Sequence, residues 1–380
     1  MQGLPCGLIP FILLIVMKIA FTGGGTGGHI YPGLAIAAEL VQRAGPDVCG
    51  IFWIGAKTGM DKSIVEEAGV EFFGIPAGKL RRYFSLKTIP DFFRVIAGFF
   101  AARKIFRREK PVLLFSKGGF VSVPPCAAAA SLGIPVFTHE SDFSPGLATR
   151  LNARFARQIF IAYNETTAYL PEKIRHRLVV TGNPVRSGFY KADKAKGRAF
   201  LGLTEDQRIL LVLGGSLGAR ELNELVRNNI NELCGIYSVA HITGGSGGGE
   251  APAMSGRYKP FPYIREEMPH VLACAELVLG RSGAGTVWEC AVMGKPMVLV
   301  PLSENSRGDQ VENARFFERA GAAICLTGQD LNDENLVRVI DNLARDSKKR
   351  EAMAYASGKI GRTNGACNIV SALTEFMHHE

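Results

Sequence analysis

A chain of 380 residues, 47% hydrophobic and 21% charged, is long enough for two domains that each bury a core, and this composition excludes a disordered or collagen-like chain. Its eight cysteines stand apart, with no CxxC pair and no Cys/His cluster, which argues against a disulfide framework and a zinc site and fits reduced, core-packing thiols. The formal charge is +9, but ten Lys/Arg face only two acids between Ile75 and Lys110, so the basicity is one patch and not a property of the whole surface.

Leu8–Met17 is an apolar run of about ten residues, half of what a spanning helix needs, and it lacks the basic start and small-residue cleavage site of a signal peptide. Residues 1–16 are therefore expected to form an N-terminal extension outside the fold, with a membrane-touching tail as the alternative. From Met17 onward, short β-branched runs alternate with amphipathic stretches, the βαβ pattern of a parallel sheet. Strands are predicted at Ile19–Thr22, Gly50–Ile54, Val112–Ser116, Pro135–His139, Gln158–Ala162 and Val179–Thr181. A second series follows at Ile209–Leu213, Ser238–Thr243, Glu276–Leu279, Met297–Val300 and Ala323–Leu326. Both series open as strand, glycine turn, helix, about half the chain apart, so two similar α/β domains in tandem are expected, joined through the polar Pro184–Gln207 region.

Four glycine-bearing loops follow apolar strands and precede helical patterns: Gly23–His29, Lys117-Gly-Gly-Phe120, Gly214-Gly-Ser216 and Arg281-Ser-Gly-Ala-Gly-Thr286. An α/β sheet presents backbone N–H groups and a helix N-terminus to an anion at such places, and glycine permits close approach. One such loop is equally well explained by tight strand–helix packing. Four of them in two domains point to a phosphate-bearing ligand in an interdomain crevice. No GxxxxGK[ST] occurs, so a Walker P-loop is excluded. Gly23-Gly-Gly-Thr-Gly-Gly28 matches GxGxxG, yet the strand that ends Trp53-Ile-Gly-Ala56 carries no acid at its tip, which disfavours a nicotinamide dehydrogenase. The absence of any Asp-x-Asp leaves a metal-chelating diphosphate site unsupported. No metal and no cofactor are expected.

The run Thr22-Gly-Gly-Gly-Thr-Gly-Gly-His-Ile-Tyr-Pro-Gly-Leu-Ala35 resembles the first glycine loop of the MurG family, the peptidoglycan N-acetylglucosaminyltransferases of glycosyltransferase family 28. Further matches are Lys117-Gly-Gly-Phe-Val-Ser122, His139-Glu140 followed by Pro145-Gly146, Gly182-Asn-Pro-Val-Arg186, Gly214-Gly-Ser-Leu-Gly-Ala219, Arg281-Ser-Gly-Ala-Gly-Thr-Val-Trp-Glu289 and Asp309-Gln-Val-Glu-Asn313. They run in order from Met17 to the C-terminus. The resemblance implies a GT-B fold, two Rossmann-like α/β domains with parallel sheets facing a cleft. The acceptor, membrane-facing domain would span 17–183 and the donor domain 184–362, with a last helix at about 363–380 crossing back to the first. It also implies inverting transfer of GlcNAc from UDP-GlcNAc to the C4 hydroxyl of MurNAc in undecaprenyl-diphosphate-MurNAc-pentapeptide, at the cytoplasmic face of the bacterial inner membrane.

The same resemblance implies the roles. Ser216 with Ala284, Gly285 and Thr286 would hold the UDP diphosphate, where oriented N–H groups stabilise the leaving group. Arg186 would add a cation, Ile264 would meet uracil through its backbone, and Glu289 would accept from the ribose hydroxyls. Gln310 and Asn313, three apart on one helix face, suit the hydroxyls of a neutral sugar. On the acceptor side Thr26, Gly27 and Gly28 lie in the first loop. His29 leads as catalytic base because imidazole titrates near neutrality; Glu140 and Asp142 compete. The chain departs from the common family pattern at Asp142 and Thr149, each a frequent Asn, and at Leu217, a frequent Gln.

Phe92, Val95, Ile96, Phe99 and Phe106 recur at helical spacing, flanked by Arg94, Arg103, Lys104, Arg107 and Arg108, a basic amphipathic pattern suited to an anionic membrane surface, with an ordinary core helix carrying solvated Lys/Arg as the alternative. A nucleic-acid partner is not expected, since no paired Asn/Gln or aromatic platform supports base reading. The remaining alternative is another GT-B enzyme, a lipid glycosyltransferase or UDP-sugar epimerase with a different acceptor.

Overall fold

The computed structural model describes residues 17–44, 49–78, 88–214, 220–245, 256–302 and 309–379. The 1–16 extension, Ser216 and the basic residues at 79, 81, 82 and 87 lie outside the described residues.

The first half of the chain folds as β1 (Met17–Thr22), α1 (Gly27–Ala44), β2 (Cys49–Ala56), α2 (Asp61–Glu67), β3 (Glu71–Ile75), α3 (Thr88–Glu109), β4 (Leu113–Ser116), α4 (Val123–Ala130), β5 (Val136–Glu140), α5 (Leu147–Asn152), β6 (Gln158–Ile161) and β7 (Leu178–Val180). These strands form one parallel sheet in the order β3-β2-β1-β4-β5-β6-β7. The register sets Met17 beside Cys49 and Ile19 beside Leu113, so the C-terminal ends of β1 and β4 open side by side where the strand order reverses.

The second half repeats the plan: α6 (Lys194–Leu201), β8 (Ile209–Leu213), α7 (Arg220–Asn228), α8 (Ile230–Ile236), β9 (Ser238–Ile242), β10 (Tyr258–Phe261), α9 (Met268–Cys274), β11 (Leu277–Gly280), α10 (Ala284–Val292), β12 (Met297–Leu299), α11 (Asp309–Arg319), β13 (Ala323–Cys325), α12 (Asp333–Arg345), α13 (Ser347–Gly361) and α14 (Gly365–His379). Its parallel sheet runs β10-β9-β8-β11-β12-β13, with the reversal between β8 and β11. The loops after β1, β4 and β11 thus leave the strands at the two reversal points, as does Gly214 at the end of β8, and open α/β sheets bind ligands at such points.

Interior strands such as Ile209–Leu213 are buried on both faces and read as continuous apolar runs. The two strands missing from the sequence reading, β3 and β10, are both sheet edges. Glu71-Phe-Phe-Gly-Ile75 is short and opens on an exposed acid, and Tyr258-Lys-Pro-Phe261 carries a lysine and a proline. Such residues keep an edge from pairing further and erase the apolar signal that marks a central strand.

α14 returns to the first domain. Its Ile369, Val370 and Leu373 are buried among Ile30, Ile36, Leu40, Phe115 and Phe160. A second bridge is the aromatic group at the base of the cleft. Phe143 and Tyr163 from the first half belong to the core that contains Trp288 and Phe317 of the second. The Trp288 indole N–H donates to the Tyr163 hydroxyl at 2.9 Å, which satisfies two groups that would be costly to bury alone.

The membrane-facing assignment needs correction at one end of α3. Phe92 is exposed, Phe99 half-buried and Phe106 fully buried in the first-domain core. Seven-residue spacing drifts about 20° per repeat on a 3.6-residue helix, so these three rings walk from solvent into the interior. The exposed apolar row is Phe92, Phe93, Ile96 and Phe100, with Lys104, Arg107 and Arg108 also exposed beyond it and Arg103 half-buried. The buried row is Gly98, Ala102 and Phe106. Gly98 is required there, because a Cβ would stand 2.4 Å from the Pro76 carbonyl oxygen. Among the described residues no helix is long and apolar enough to cross a membrane.

Candidate functional site

In the first domain the loop after β1 is held from several sides. The Trp53 indole N–H donates to the Gly23 carbonyl at 2.9 Å, and the Asp61 carboxylate accepts the Gly25 N–H at 3.0 Å. The Lys117 N–H donates to the Thr22 carbonyl at 2.7 Å and ties this loop to the one after β4. α1 then starts at Gly27, with Thr26 half-buried, Gly27 buried and Gly28 exposed. His29 is its third residue. The imidazole lies over the Lys117-Gly-Gly turn: a Cβ on Gly119 would stand 3.0 Å from His29 Cδ2, and one on Gly118 3.8 Å from its Nδ1. Both glycines also have φ near +80°, a conformation side chains rarely adopt. Two glycine loops far apart in sequence thus meet on one histidine, which stays partly accessible at the cleft.

Behind them lies a buried ammonium. The Lys117 side chain is 1% exposed and donates to Ser141 Oγ at 2.6 Å, and Ser141 in turn donates to Asn183 Oδ1 at 2.5 Å. Burial pushes the lysine down to about 8, while Glu140 and Asp142 pull it back toward the charged form. His139 is buried beside it with Nε2 3.0 Å from the Gly182 carbonyl. Burial and the Lys117 charge hold this imidazole well below its ordinary range, so it is neutral and donates that bond.

Glu140, a candidate base, is instead engaged in the turn that follows β5. Its Oε1 accepts the Asp142 N–H and its Oε2 the Gly146 N–H, each at 3.0 Å. A carboxylate with both oxygens on backbone amides and 5% exposure shapes the 140–146 loop; it is poorly placed to take a proton from a substrate. Asp142 is half-buried at the rim. Burial and the neighbouring Glu140 raise its carboxyl to about 7, against a hydrogen bond from Asn313 that favours the ionised form.

Asn313 joins the two domains. Fully buried on α11, it accepts the Phe143 N–H at 2.9 Å through Oδ1 and donates Nδ2–H to Asp142 Oδ1 at 3.0 Å and to the Ser282 carbonyl at 3.1 Å. An amide expected to face a sugar hydroxyl has its capacity taken by the protein itself. Gln310, one turn earlier and half-buried, accepts the Leu302 N–H at 3.2 Å, and its carbonyl accepts the Ser282 hydroxyl at 2.7 Å.

In the second domain Gly283 precedes α10, whose first turn is Ala284, Gly285 and Thr286. A Cβ on Gly283 or Gly285 would meet nothing within 4 Å, so internal packing does not require glycine there. One turn on, Glu289 lies 3.5 Å from Arg186 Nη2, and the Arg186 guanidinium also stacks over the Tyr31 and Phe189 rings at 5.0 and 5.1 Å. Burial raises the Glu289 carboxyl to about 7, against the pull of Arg186. Ile264 is buried in the second-domain core.

The sequence reading passed over the side chains of Lys117, Ser141, Asn183 and Asp61. Lys117 and Asn183 stood inside quoted motifs and Ser141 directly after one; Asp61 carried no signal beyond following a strand tip that lacked an acid.

The chain matches the Glycosyltransferase family 28 N-terminal domain over residues 19–161 and the Glycosyltransferase family 28 C-terminal domain over residues 209–369. It is 45% identical to a Treponema denticola protein named UDP-N-acetylglucosamine--N-acetylmuramyl-(pentapeptide) pyrophosphoryl-undecaprenol N-acetylglucosamine transferase, over 94% of this chain and 97% of that one. Among solved structures, Acinetobacter baumannii MurG superposes with a TM-score of 0.70 at 26% identity, covering 94% and 99% of the two chains. A UDP-GlcNAc 2-epimerase from Neisseria meningitidis bound to UDP-GlcNAc gives a TM-score of 0.69 at 16% identity over 94% and 100%, a likeness of fold alone.

Proposed function

The chain belongs to glycosyltransferase family 28, and on that premise we propose that it transfers GlcNAc from UDP-GlcNAc to the C4 hydroxyl of MurNAc in undecaprenyl-diphosphate-MurNAc-pentapeptide, with inversion. The relative at 45% identity over nearly the whole of both chains carries this reading, and it speaks against an epimerase that shares only the fold. The sites fit the chemistry. Open backbone at the start of α10 admits a diphosphate, Glu289 accepts from the ribose, and Arg186 places a cation beside it. His29 removes the acceptor proton as the sugar carbon is attacked from the opposite face to the leaving UDP, and helix N–H groups take up the charge that develops on the diphosphate. Asn313 holds the α11 side of the cleft closed on the Asp142 loop. The test is transfer of labelled GlcNAc to a short-chain analogue of the muramyl lipid, with UDP released only when that acceptor is present. Equal turnover with diacylglycerol would overturn the acceptor assignment.

Glu289 makes the donor step pH-dependent. Ribose hydroxyls donate best to the ionised carboxylate, so the KM for UDP-GlcNAc rises as pH falls below about 7, where Glu289 takes up its proton. Glu289→Gln raises that KM by about tenfold, the loss of one to two charge-assisted hydrogen bonds, and abolishes its pH dependence. A variant that keeps the wild-type slope would remove Glu289 from the donor site.

For the lipid acceptor we place the enzyme on the cytoplasmic face of the inner membrane, held by α3 as a peripheral protein. Its exposed aromatic row supplies apolar contact and the neighbouring cations supply attraction to anionic headgroups. Replacing Phe92, Phe93 and Phe100 together by serine lowers co-sedimentation with phosphatidylglycerol vesicles by about tenfold or more, from the apolar area withdrawn. Unchanged vesicle binding, or salt-sensitive binding to an oligonucleotide in its place, would sink the membrane assignment.

A further inference from the structure

The acid absent from the tip of β2 arrives from five residues further on. Asp61, the first residue of α2, is 1% exposed and turns back under the first glycine loop, where Oδ1 accepts the Gly25 N–H at 3.0 Å and Oδ2 accepts the Ala56 N–H at 3.1 Å. The loop is shaped around it: a Cβ on Gly24 would stand 2.0 Å from Asp61 Oδ2 and 2.7 Å from Cγ. Gly24 is therefore glycine to admit a carboxylate of the protein. The Gly25 N–H is likewise taken by that carboxylate and is not offered to a ligand anion.

We propose that Asp61 is a positioning residue that locks the Gly23–Gly25 turn and, through it, sets the start of α1 and the His29 imidazole against the acceptor. The turn has few other ways to hold its shape, because three successive glycines cost more conformational freedom on ordering than any other residues. Trp53 fixes its entry through the Gly23 carbonyl and Asp61 fixes its exit through the Gly25 amide, and His29 follows four residues later. The carboxylate is also an economical choice of clamp, since its two oxygens accept from two backbone amides at once. An asparagine in its place has one acceptor oxygen and turns an NH2 group toward the other amide. A misplacement of about 1 Å at a reacting group costs about 10²-fold in rate.

The inference rests on the reading that the first domain takes the acceptor, and the experiment separates the two. Asp61→Asn is expected to lower kcat/KM for the short-chain muramyl lipid by about 10²-fold, through both kcat and the acceptor KM, with UDP affinity and the KM for UDP-GlcNAc unchanged. A purely structural role would lower the active fraction and leave the acceptor KM as it was. Gly24→Ala forces the carboxylate out from the other side and should give the same split. In the Asp61→Ala background it should add little, because the space its methyl group needs is then vacant; this non-additivity is the mark of direct coupling. Unaltered acceptor constants in both variants, or additive losses in the cycle, overturn the clamp. Coupled losses that fall on the donor KM instead leave the clamp standing and overturn the assignment of this loop to the acceptor.

Discussion

Turnover falls by about 10²–10⁴-fold when His29 is replaced by alanine, the contribution typical of a positioned general base, while UDP-GlcNAc affinity stays within about twofold. The separation is expected because the proposed donor groups gather at the start of α10, after β11 on the other sheet, whereas His29 stands on the first turn of α1. The loss is chemical and not a collapse of the loop, since Trp53, Asp61 and Lys117 hold Gly23, Gly25 and Thr22 without the imidazole. His29→Gln retains hydrogen bonding without basicity and should be equally impaired. Single-turnover rates with calorimetric UDP-GlcNAc affinity make the measurement. A near-normal rate in His29→Ala would transfer the role to Asp142, in the loop after β5 of the same sheet.

Asn313→Leu is expected to destabilise the protein by about 3 kcal/mol or more, because it strands the Phe143 N–H, the Ser282 carbonyl and the Asp142 carboxylate, each costing about 1–3 kcal/mol when left unsatisfied. The leucine conserves volume, so the loss measures the hydrogen bonds more than a cavity. Asn313→Asp sharpens the test. It sets a second carboxyl about 3.0 Å from Asp142, whose own carboxyl already lies near 7. A pair that shares one proton binds it more tightly folded than unfolded. The variant's stability therefore recovers as pH falls through about 7 and is lost as pH rises, with a steeper slope than the wild type. Urea midpoints at pH 5.5 and 8.5 read the effect. If Asn313 served only the donor sugar, both variants would raise the KM for UDP-GlcNAc with midpoints unmoved.

How much of this was legible in the chain can be seen residue by residue. The eleven predicted strands are present, and those buried on both faces, such as β8, write themselves as unbroken apolar runs. Of the four edge strands, β7 and β13 still carry a short apolar run, whereas an exposed acid and a glycine interrupt β3 and a lysine and a proline interrupt β10. Phe106 was read as part of an outer face because its spacing from Phe92 and Phe99 stays close to helical phase over two turns and drifts by about 40° over four. His29, Arg186 and Glu289 were legible through the motifs that contain them, and the structure adds that Arg186 and Glu289 face each other across 3.5 Å.

What the sequence by itself determined is the set of groups and their order: two series of strands, four glycine-bearing loops at strand ends, and motifs running the length of the chain. These are local facts, fixed by which residues adjoin a strand end, and the basic count of +9 resolved in the same way into one helix and its neighbourhood. Only the tertiary structure decided how polar groups pair across distance. Gly25 and Asp61 are 36 residues apart, Lys117 and Ser141 are 24 apart, and Asp142 and Asn313 are 171 apart, separations over which no periodicity carries information. A buried carboxylate or amide finds whichever partners the packed sheets bring within 3 Å, and being buried it must find them. That requirement makes Asp61 a clamp, turns Glu140 into a loop brace, and commits Asn313 to holding two domains together.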